Sequence, residues 1–470
     1  MSDSYDVIVI GAGPVGENVA DRAVQGGLTA VIVENELVGG ECSYWACMPS
    51  KALLGPPLAL AAARAIDGAK QAVTGSLDVE AVLARRTWFT GDGDDSGQVQ
   101  WLESAHIDLV RGHGRLAGEK TVEVTTPDGS VRTLTARHAV AVCTGTTATV
   151  PPIDGLADAR PWTSREATSA KTVPASLVVV GGGVVATEMA TAYSFFGSKV
   201  TMLVRSGLLA GLEPFAGEMV ADSLRELGAD LRLGVSPTAV HRDGSGVHVT
   251  LDDGSTIDAA EILVATGRTP ATSDVGLDTV GLPAKGYLTV DDTLRVDGLD
   301  WLYAVGDVNG RALLTHQGKY EARAAGDVIA ARAAGAAVDD APWGKHVATA
   351  DHAAVPAVVF SHPEVASIGL TEAKAREKYP HVRVVDYDLG QVSGSKLHAD
   401  GYRGQARMVV DTDREVVVGL TLVGAEVGEM IHAATIAVVG EVPISRLWHA
   451  VPSYPTMSEI WLRLLESYGR

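Results

Sequence analysis

Asp6-Val7-Ile8-Val9-Ile10-Gly11-Ala12-Gly13-Pro14-Val15-Gly16 reads as an apolar strand running into a glycine turn. A helix from Glu17 to Gly26 is expected next, then a second strand from Leu28 to Val33, ending at Glu34. A G-x-G-x-x-G turn lets the backbone approach a pyrophosphate and aims a helix N-terminus at its charge. Gly11, Gly13 and Gly16 stand at those positions. Glu34 lies 23 residues after Gly11, at the strand tip where a carboxylate accepts from ribose hydroxyls. A glycine pattern alone is weak; strand, turn, helix and acid in this order make a specific dinucleotide signal.

The unit then recurs. Leu177 to Val180 is a second apolar strand, and Gly181-Gly182-Gly183-Val184-Val185-Ala186 reads G-x-G-x-x-A around Gly181 and Gly183. A helix from Thr187 to Phe196 and a strand from Lys199 to Val204 follow. The position equivalent to Glu34 is Val204, with Arg205 next to it. Loss of the acid removes a ribose partner, and an arginine there pairs with a 2′-phosphate. This favours NADPH over NADH; the alternative is that Arg205 is a solvated surface charge.

Between the two units lies Gly39-Gly40-Glu41-Cys42-Ser43-Tyr44-Trp45-Ala46-Cys47-Met48-Pro49-Ser50-Lys51. It holds two of only three cysteines. Residues i and i+5 of a regular helix are about 8.6 Å apart, whereas a disulfide spans at most ~7 Å between Cα atoms. Bridging Cys42 to Cys47 therefore requires an irregular helix, most simply with Cys42 ahead of its first regular turn. A helix N-terminus also favours the thiolate. No second ligand pair lies nearby to support a metal reading, and a purely structural pair remains the bland alternative. Cys143 ends an apolar strand and reads as core.

Other punctuation supports a multidomain α/β chain. Ala139 to Cys143 leads into Thr144-Gly145-Thr146, Glu261 to Ala265 leads into Thr266-Gly267-Arg268, and Leu302 to Val305 ends at Gly306-Asp307. An Ala-rich helix is expected over 56–70 and a mobile acidic loop over 91–97. From about residue 346, strand-like runs such as Val355 to Phe360 alternate with helical ones such as Gly428 to Val439, indicating an α+β domain. With 58 acidic and 38 basic residues the net charge is −20, which argues against a nucleic-acid partner. Met1 to Tyr5 does not read as a signal peptide, and no apolar run reaches the ~18 residues of a membrane helix. Three cysteines do not form a secreted disulfide framework. A cytoplasmic location without membrane contact is the expectation.

These motifs together resemble the class I pyridine nucleotide–disulfide oxidoreductases. The resemblance runs over the whole chain. It is carried by the turn at Gly11, Cys42-x4-Cys47 with Pro49-Ser50-Lys51, the turn at Gly181 and Gly306-Asp307. Phe360-x2-Pro363-Glu364 and Gly369-Leu370-Thr371-Glu372 extend it to the C-terminal third. It implies two Rossmann-like domains, one for FAD (1–150 and 272–345) and one for NAD(P) (151–271). A dimerisation domain over 346–470 completes an implied homodimer, with NAD(P)H stacking on one face of the FAD flavin. By resemblance, Cys47 is nearest the flavin and Cys42 meets a small-molecule substrate. Lys51 and Glu188 pair near the site of hydride arrival, and Asp307 accepts from the ribitol. Gly40, Gly114, Thr144, Gly145 and Gly267 complete the implied nucleotide contacts.

One motif departs from the pattern. The family's C-terminal His-Pro-Thr-x-Ser-Glu, which each subunit supplies to its partner, here reads Tyr454-Pro455-Thr456-Met457-Ser458-Glu459. Imidazole titrates near pH ~6.5 and phenol near ~10, so Tyr454 cannot shuttle a proton at neutral pH as histidine does. His449 is a nearby substitute or a packing residue. Mercuric reductases share the tyrosine but use a further C-terminal cysteine pair, which the last residues here do not contain. The expected activity is hydride transfer from NAD(P)H through FAD to the Cys42–Cys47 disulfide and on to an unidentified acceptor. A diaphorase that bypasses the thiols and a non-enzymatic redox-sensing module are the rivals.

Overall fold

The computed structural model describes residues 3–469; Met1, Ser2 and Arg470, the outermost positions of the two termini read above, lie outside the described residues. The chain forms two compact units from interleaved segments. The first comprises Met1–Met48, Thr87–Ala148 and Arg268–His352, the second Pro49–Arg86, Thr149–Gly267 and Ala353–Arg470.

The first unit is built on a seven-stranded sheet. Its path is Asp108–Arg111, Ala30–Glu34, Ser4–Ile10, Val131–Val142, Thr121–Thr125 and His113–Leu116, with Leu302–Ala304 also paired to Val131–Val142. Ser4–Ile10 is parallel to both its neighbours, Ile8 facing Val31 on one side and Val140 on the other. Both faces of this strand are covered, which explains its unbroken apolar sequence. Val7 and Val9 enter one core with residues of helix Thr315–Ala333, while Ile8 and Ile10 enter the core on the opposite face. The helix after the turn runs Pro14–Gln25 rather than starting at Glu17. Proline suits the first helical position, where no N–H partner is needed. The loops after Cys143 and Gly267 are linked: Thr146–Ala148 pairs antiparallel with Arg268–Pro270.

The expected mobile loop at 91–97 is instead fastened. Gly91–Gly93 is a 3₁₀ turn, and a helix, Ser96–Ser104, begins inside the stretch. Asp95 accepts from the Val38 N–H at 2.7 Å and from Arg111 at 2.6 Å, tying the acidic run to the segment before the cysteines.

The second unit contains three sheets. A parallel sheet runs Asp230–Leu233, Lys199–Val204, Ser176–Val180, Glu261–Val264, and an antiparallel sheet of three strands covers 237–259. The third sheet is antiparallel and five-stranded: Pro356–Val359, Glu364–Gly369, Val416–Gly424, Gln405–Asp411, Val382–Asp388. Val359, Val365 and Val423 of this sheet share one apolar core with Leu177, Val179 and Met189 of the nucleotide half. The helix expected at 56–70 runs Cys47–Arg64 and carries Pro56 and Pro57 within it. An interior proline costs a helix about 3 kcal/mol. Burial of Leu53 and Leu54 in the shared core contributes roughly 1.5–3 kcal/mol each and works against the cost of the two prolines.

Candidate active site

In the first unit the glycine turn is shaped for an anion. Gly11 has φ +103°, and a side chain there would meet the Cys143 carbonyl at 2.6 Å. Gly13 is the N-cap of helix Pro14–Gln25, with no capping side chain and open space where a Cβ would stand. Gly40 (φ +58°) lies against it: a Cβ on Gly40 would fall 2.9 Å from the Gly13 Cα. The loop before the cysteines is thereby folded onto the phosphate turn. Gly16 packs on the Gly11 carbonyl, and Gly114 is buried against Val33, so both glycines are required by protein packing. Glu34 is buried at the end of Ala30–Glu34, where it accepts from the N–H groups of Ala12 and Glu36, each at 2.7 Å. Burial raises its carboxyl above the usual range. Thr144 leaves a buried hydroxyl without a partner among the described residues, and Gly145 takes φ +69° beside it. An open helix N-terminus, a tip carboxylate and an orphan hydroxyl fit the diphosphate and ribose of FAD.

Asp307 opens a 3₁₀ turn after Leu302–Ala304. It accepts from the Thr146 hydroxyl at 2.7 Å, and Arg268 donates to that hydroxyl oxygen at 2.6 Å and reaches Glu41 at 3.6 Å. Burial raises the Asp307 carboxyl, and Thr146 and Arg268 oppose the shift.

The two cysteines do not share a helix. Cys42 sits in the five-residue helix Gly40–Tyr44, the chain breaks at Trp45 (φ −136°), and Cys47 begins Cys47–Arg64. This is the irregularity that a five-residue spacing needs. The Cys47 sulfur lies 3.3 Å from the hydroxyl oxygen of Thr315, the first residue of helix Thr315–Ala333. Tyr44 is buried and donates to the Val38 carbonyl, and its ring tilts against Trp45 at 5.6 Å. Cys143 is buried in the core, which pushes its thiol far up.

In the second unit, Lys51 meets Glu188 at 2.7 and 3.0 Å. Glu188 is 3% exposed and also accepts from the Phe360 N–H at 3.1 Å. The Phe360 ring lies under the Lys51 ammonium, 4.8 Å from the centroid. Gly181 (φ +130°) and Gly183 repeat the first turn; Gly183 is an uncapped N-cap with open space at its Cβ position. Val204 is buried, Arg205 is exposed just beyond it, and Gly267 takes φ +147°. The structure therefore gathers Lys51 with Glu188, and Gly13 with Gly40.

The C-terminal motif is divided in exposure. Tyr454 is 74% exposed, and His449 is exposed as well. Glu459 is buried, with one oxygen on the Arg463 guanidinium and the other without a partner among the described residues.

Some features lie beyond motif reading. Glu17, directly after the fingerprint, is buried with one oxygen unpartnered, and burial raises its carboxyl to about 7. Glu321, wholly buried, accepts from the Gly306 N–H and Asn309, and burial beside Asp351 raises its carboxyl. Glu17 was visible as an acid at an apolar helix face. Thr315 and Glu321 act through contacts distant in sequence that carry no local signature, and the motif that includes Phe360 gives no hint of its contact with Glu188 and Lys51.

Two glycine-turn nucleotide folds and a cysteine pair set across a helix break define a dinucleotide-linked dithiol oxidoreductase. Residues 5–333 match the family described as pyridine nucleotide-disulphide oxidoreductase, and residues 355–464 match its dimerisation domain. Dihydrolipoyl dehydrogenase of Haloferax volcanii is 33% identical over 99% of this chain and 97% of its own. Mercuric reductase of Streptomyces lividans is 31% identical over 97% and 94% respectively. Among solved structures, LpdA of Mycobacterium tuberculosis has a TM-score of 0.83 at 25% identity, covering 99% of this chain and 100% of that one. The HOCl-induced flavoprotein disulfide reductase RclA of Escherichia coli has the same fold, with a TM-score of 0.85 at 23% identity and 99% coverage of each chain. The chain belongs to the pyridine nucleotide–disulfide oxidoreductase family. It is an FAD-dependent oxidoreductase acting on a sulfur group and carries the family's C-terminal dimerisation domain. No helix among the described residues is long and apolar enough to cross a membrane.

Proposed function

We propose that this enzyme uses NADPH to reduce a small disulfide or other thiol-reactive acceptor through the Cys42–Cys47 pair. In this reading, residues 1–150 and 272–345 hold FAD, 151–271 hold NADPH, and 346–470 dimerise the chain in the cytoplasm. Bound FAD supplies two-electron transfer between nicotinamide and the disulfide. Gly11, Gly13, Gly16 and Gly40 hold the diphosphate with backbone groups, Glu34 takes the adenosine ribose, and Thr144, Gly145 and Asp307 line the flavin end. Gly181 and Gly183 hold the nicotinamide diphosphate, Gly267 lets the chain pass close to it, and Arg205 pairs with the 2′-phosphate.

The Lys51–Glu188 pair keeps a fixed positive charge at the face where hydride arrives. Two electrons break the sulfur–sulfur bond and leave a thiolate on Cys47 and, with one proton taken up, a thiol on Cys42. Cys42 then loses its proton and attacks the acceptor. For a disulfide acceptor the first sulfur leaves as a thiolate and takes a proton, and the Cys47 thiolate attacks the Cys42 sulfur, re-forming the internal disulfide and releasing the second sulfur as a thiolate that is protonated in turn. Tyr454 and Glu459, supplied to the partner's site, shape the substrate face. Tyr454 donates a hydrogen bond there in place of the family's histidine. The break between Cys42 and Cys47, which permits a disulfide, carries this reading.

The test is anaerobic addition of NADPH to the holoenzyme, which should raise a long-wavelength absorbance band from a thiolate next to FAD. A Cys47→Ser variant that kept the band would sink the assignment. A Cys42→Ala/Cys47→Ala variant that still turned over quinone at the parental rate would establish the diaphorase instead. Parallel titration with NADH decides whether Arg205 selects the coenzyme.

A further inference from the structure

Two helix starts meet at one sulfur. Cys47 is the first residue of Cys47–Arg64, Thr315 is the first residue of Thr315–Ala333, and their Sγ and Oγ1 atoms are 3.3 Å apart. The second of these helices has 19 residues, and no side chain caps its N-terminus. Such an end carries roughly half a positive charge, and a thiolate is favoured there. Toward a neutral thiol, the Thr315 hydroxyl can donate or accept; toward a thiolate it can only donate. Hydrogen bonds to an ionised partner are about twice as strong as neutral ones. The contact thus gains strength when Cys47 loses its proton.

The C-terminal motif offers no such help. Tyr454 stands where an imidazolium would supply a counter-charge, and a neutral phenol supplies none. We propose that Thr315, at the start of helix Thr315–Ala333, is the positioning residue that holds Cys47 as a thiolate, so that the charge is stabilised within one subunit. This rests on Cys47 being the flavin-facing thiol. Within six residues of Cys47 or Thr315 in the chain, the other charged or titratable groups are Glu41, Cys42, Tyr44, Lys51, Arg311, His316, Lys319, Tyr320 and Glu321. Glu41 faces Arg268 and Lys51 is bound to Glu188, so their partners do not depend on Thr315.

The test uses holoenzyme in a Cys42→Ser background, where Cys47 cannot be held in the internal disulfide. Ionisation of Cys47 is followed from about pH 5 to 9 by the long-wavelength absorbance band and by the rate of iodoacetate labelling mapped to Cys47. Thr315→Val should move both midpoints up by about one pH unit, and Thr315→Ser should return them to the parental value. Thr315→Ala provides a second removal of the hydroxyl should the valine variant lose its flavin. Midpoints equal to the parent in the valine or alanine variant overturn the proposal, as does a serine variant that titrates like valine. A parent that lacks the band but whose Cys47 labelling shifts with Thr315→Val removes Cys47 from the flavin while leaving the role of Thr315 intact.

Discussion

At the residue scale, buried acids govern how the protein responds to pH. Glu17 has its carboxyl raised by burial from 4.5 to about 7 in the folded chain. A carboxyl whose folded value is raised contributes stability below its unfolded value and loses it as pH climbs through the folded value. Wild-type protein should therefore lose stability relative to Glu17→Gln between about pH 4.5 and 7, by up to ~3 kcal/mol. The difference in melting temperature between the two proteins across that window measures it; a constant difference would show that Glu17 does not titrate there. The Lys51–Glu188 pair gives a kinetic prediction. Glu188→Gln should slow flavin reduction by NADPH roughly tenfold to a hundredfold in stopped-flow experiments, with little change in NADPH affinity, because the glutamate fixes a charge and contacts no coenzyme phosphate in this reading.

At the element scale, the fold hangs on how loops close over helix starts. Gly40→Ala places a Cβ in a left-handed backbone, at a strain of roughly 1–2 kcal/mol, and drives it toward the Gly13 Cα. Purified Gly40→Ala should carry markedly less FAD per chain by absorbance, whereas Gly97→Ala, with open space at its Cβ position, should carry the normal amount. Elements of this kind were largely legible in the sequence. Period, glycine spacing and β-branched runs located the strands at Ser4–Ile10, Ser176–Val180 and Lys199–Val204 to within a few residues. They failed where long-range packing overrode local preference. Pro56 and Pro57 argue for a boundary, yet the helix passes through them because Leu53 and Leu54 are buried. The stretch 91–97 reads as a mobile loop because the partners of Asp95, Val38 and Arg111, lie elsewhere in the chain. Lys51 and Glu188 could be paired only through resemblance, as 137 residues separate them.

At the scale of the whole molecule, the C-terminal sheet shares a core with the second nucleotide half, while a helix and a loop that follow it present apolar surface. Ile436 on helix Ile431–Val439 is 58% exposed and Val451, three residues before Tyr454, is 83% exposed, large values for branched aliphatics. In the proposed reading, Ile436→Asp should shift the protein from dimer to monomer in sedimentation and abolish acceptor reduction while leaving FAD bound, since Tyr454 and Glu459 would then be withdrawn from the partner's site. A monomer with full activity would show that each chain completes its own substrate face. The link between Glu188 and the Phe360 N–H bears on biosynthesis as well. Lys51, Glu188 and Phe360 leave the ribosome in that order, with most of the chain between the first and the last. A nascent chain can fold its first strands and glycine turn early, yet its lysine–glutamate pair has no backbone tether until the final third has emerged. A product cut short before residue 360 would lack that tether, and in the proposed reading the hydride site stays unfinished until the final third of the chain is made.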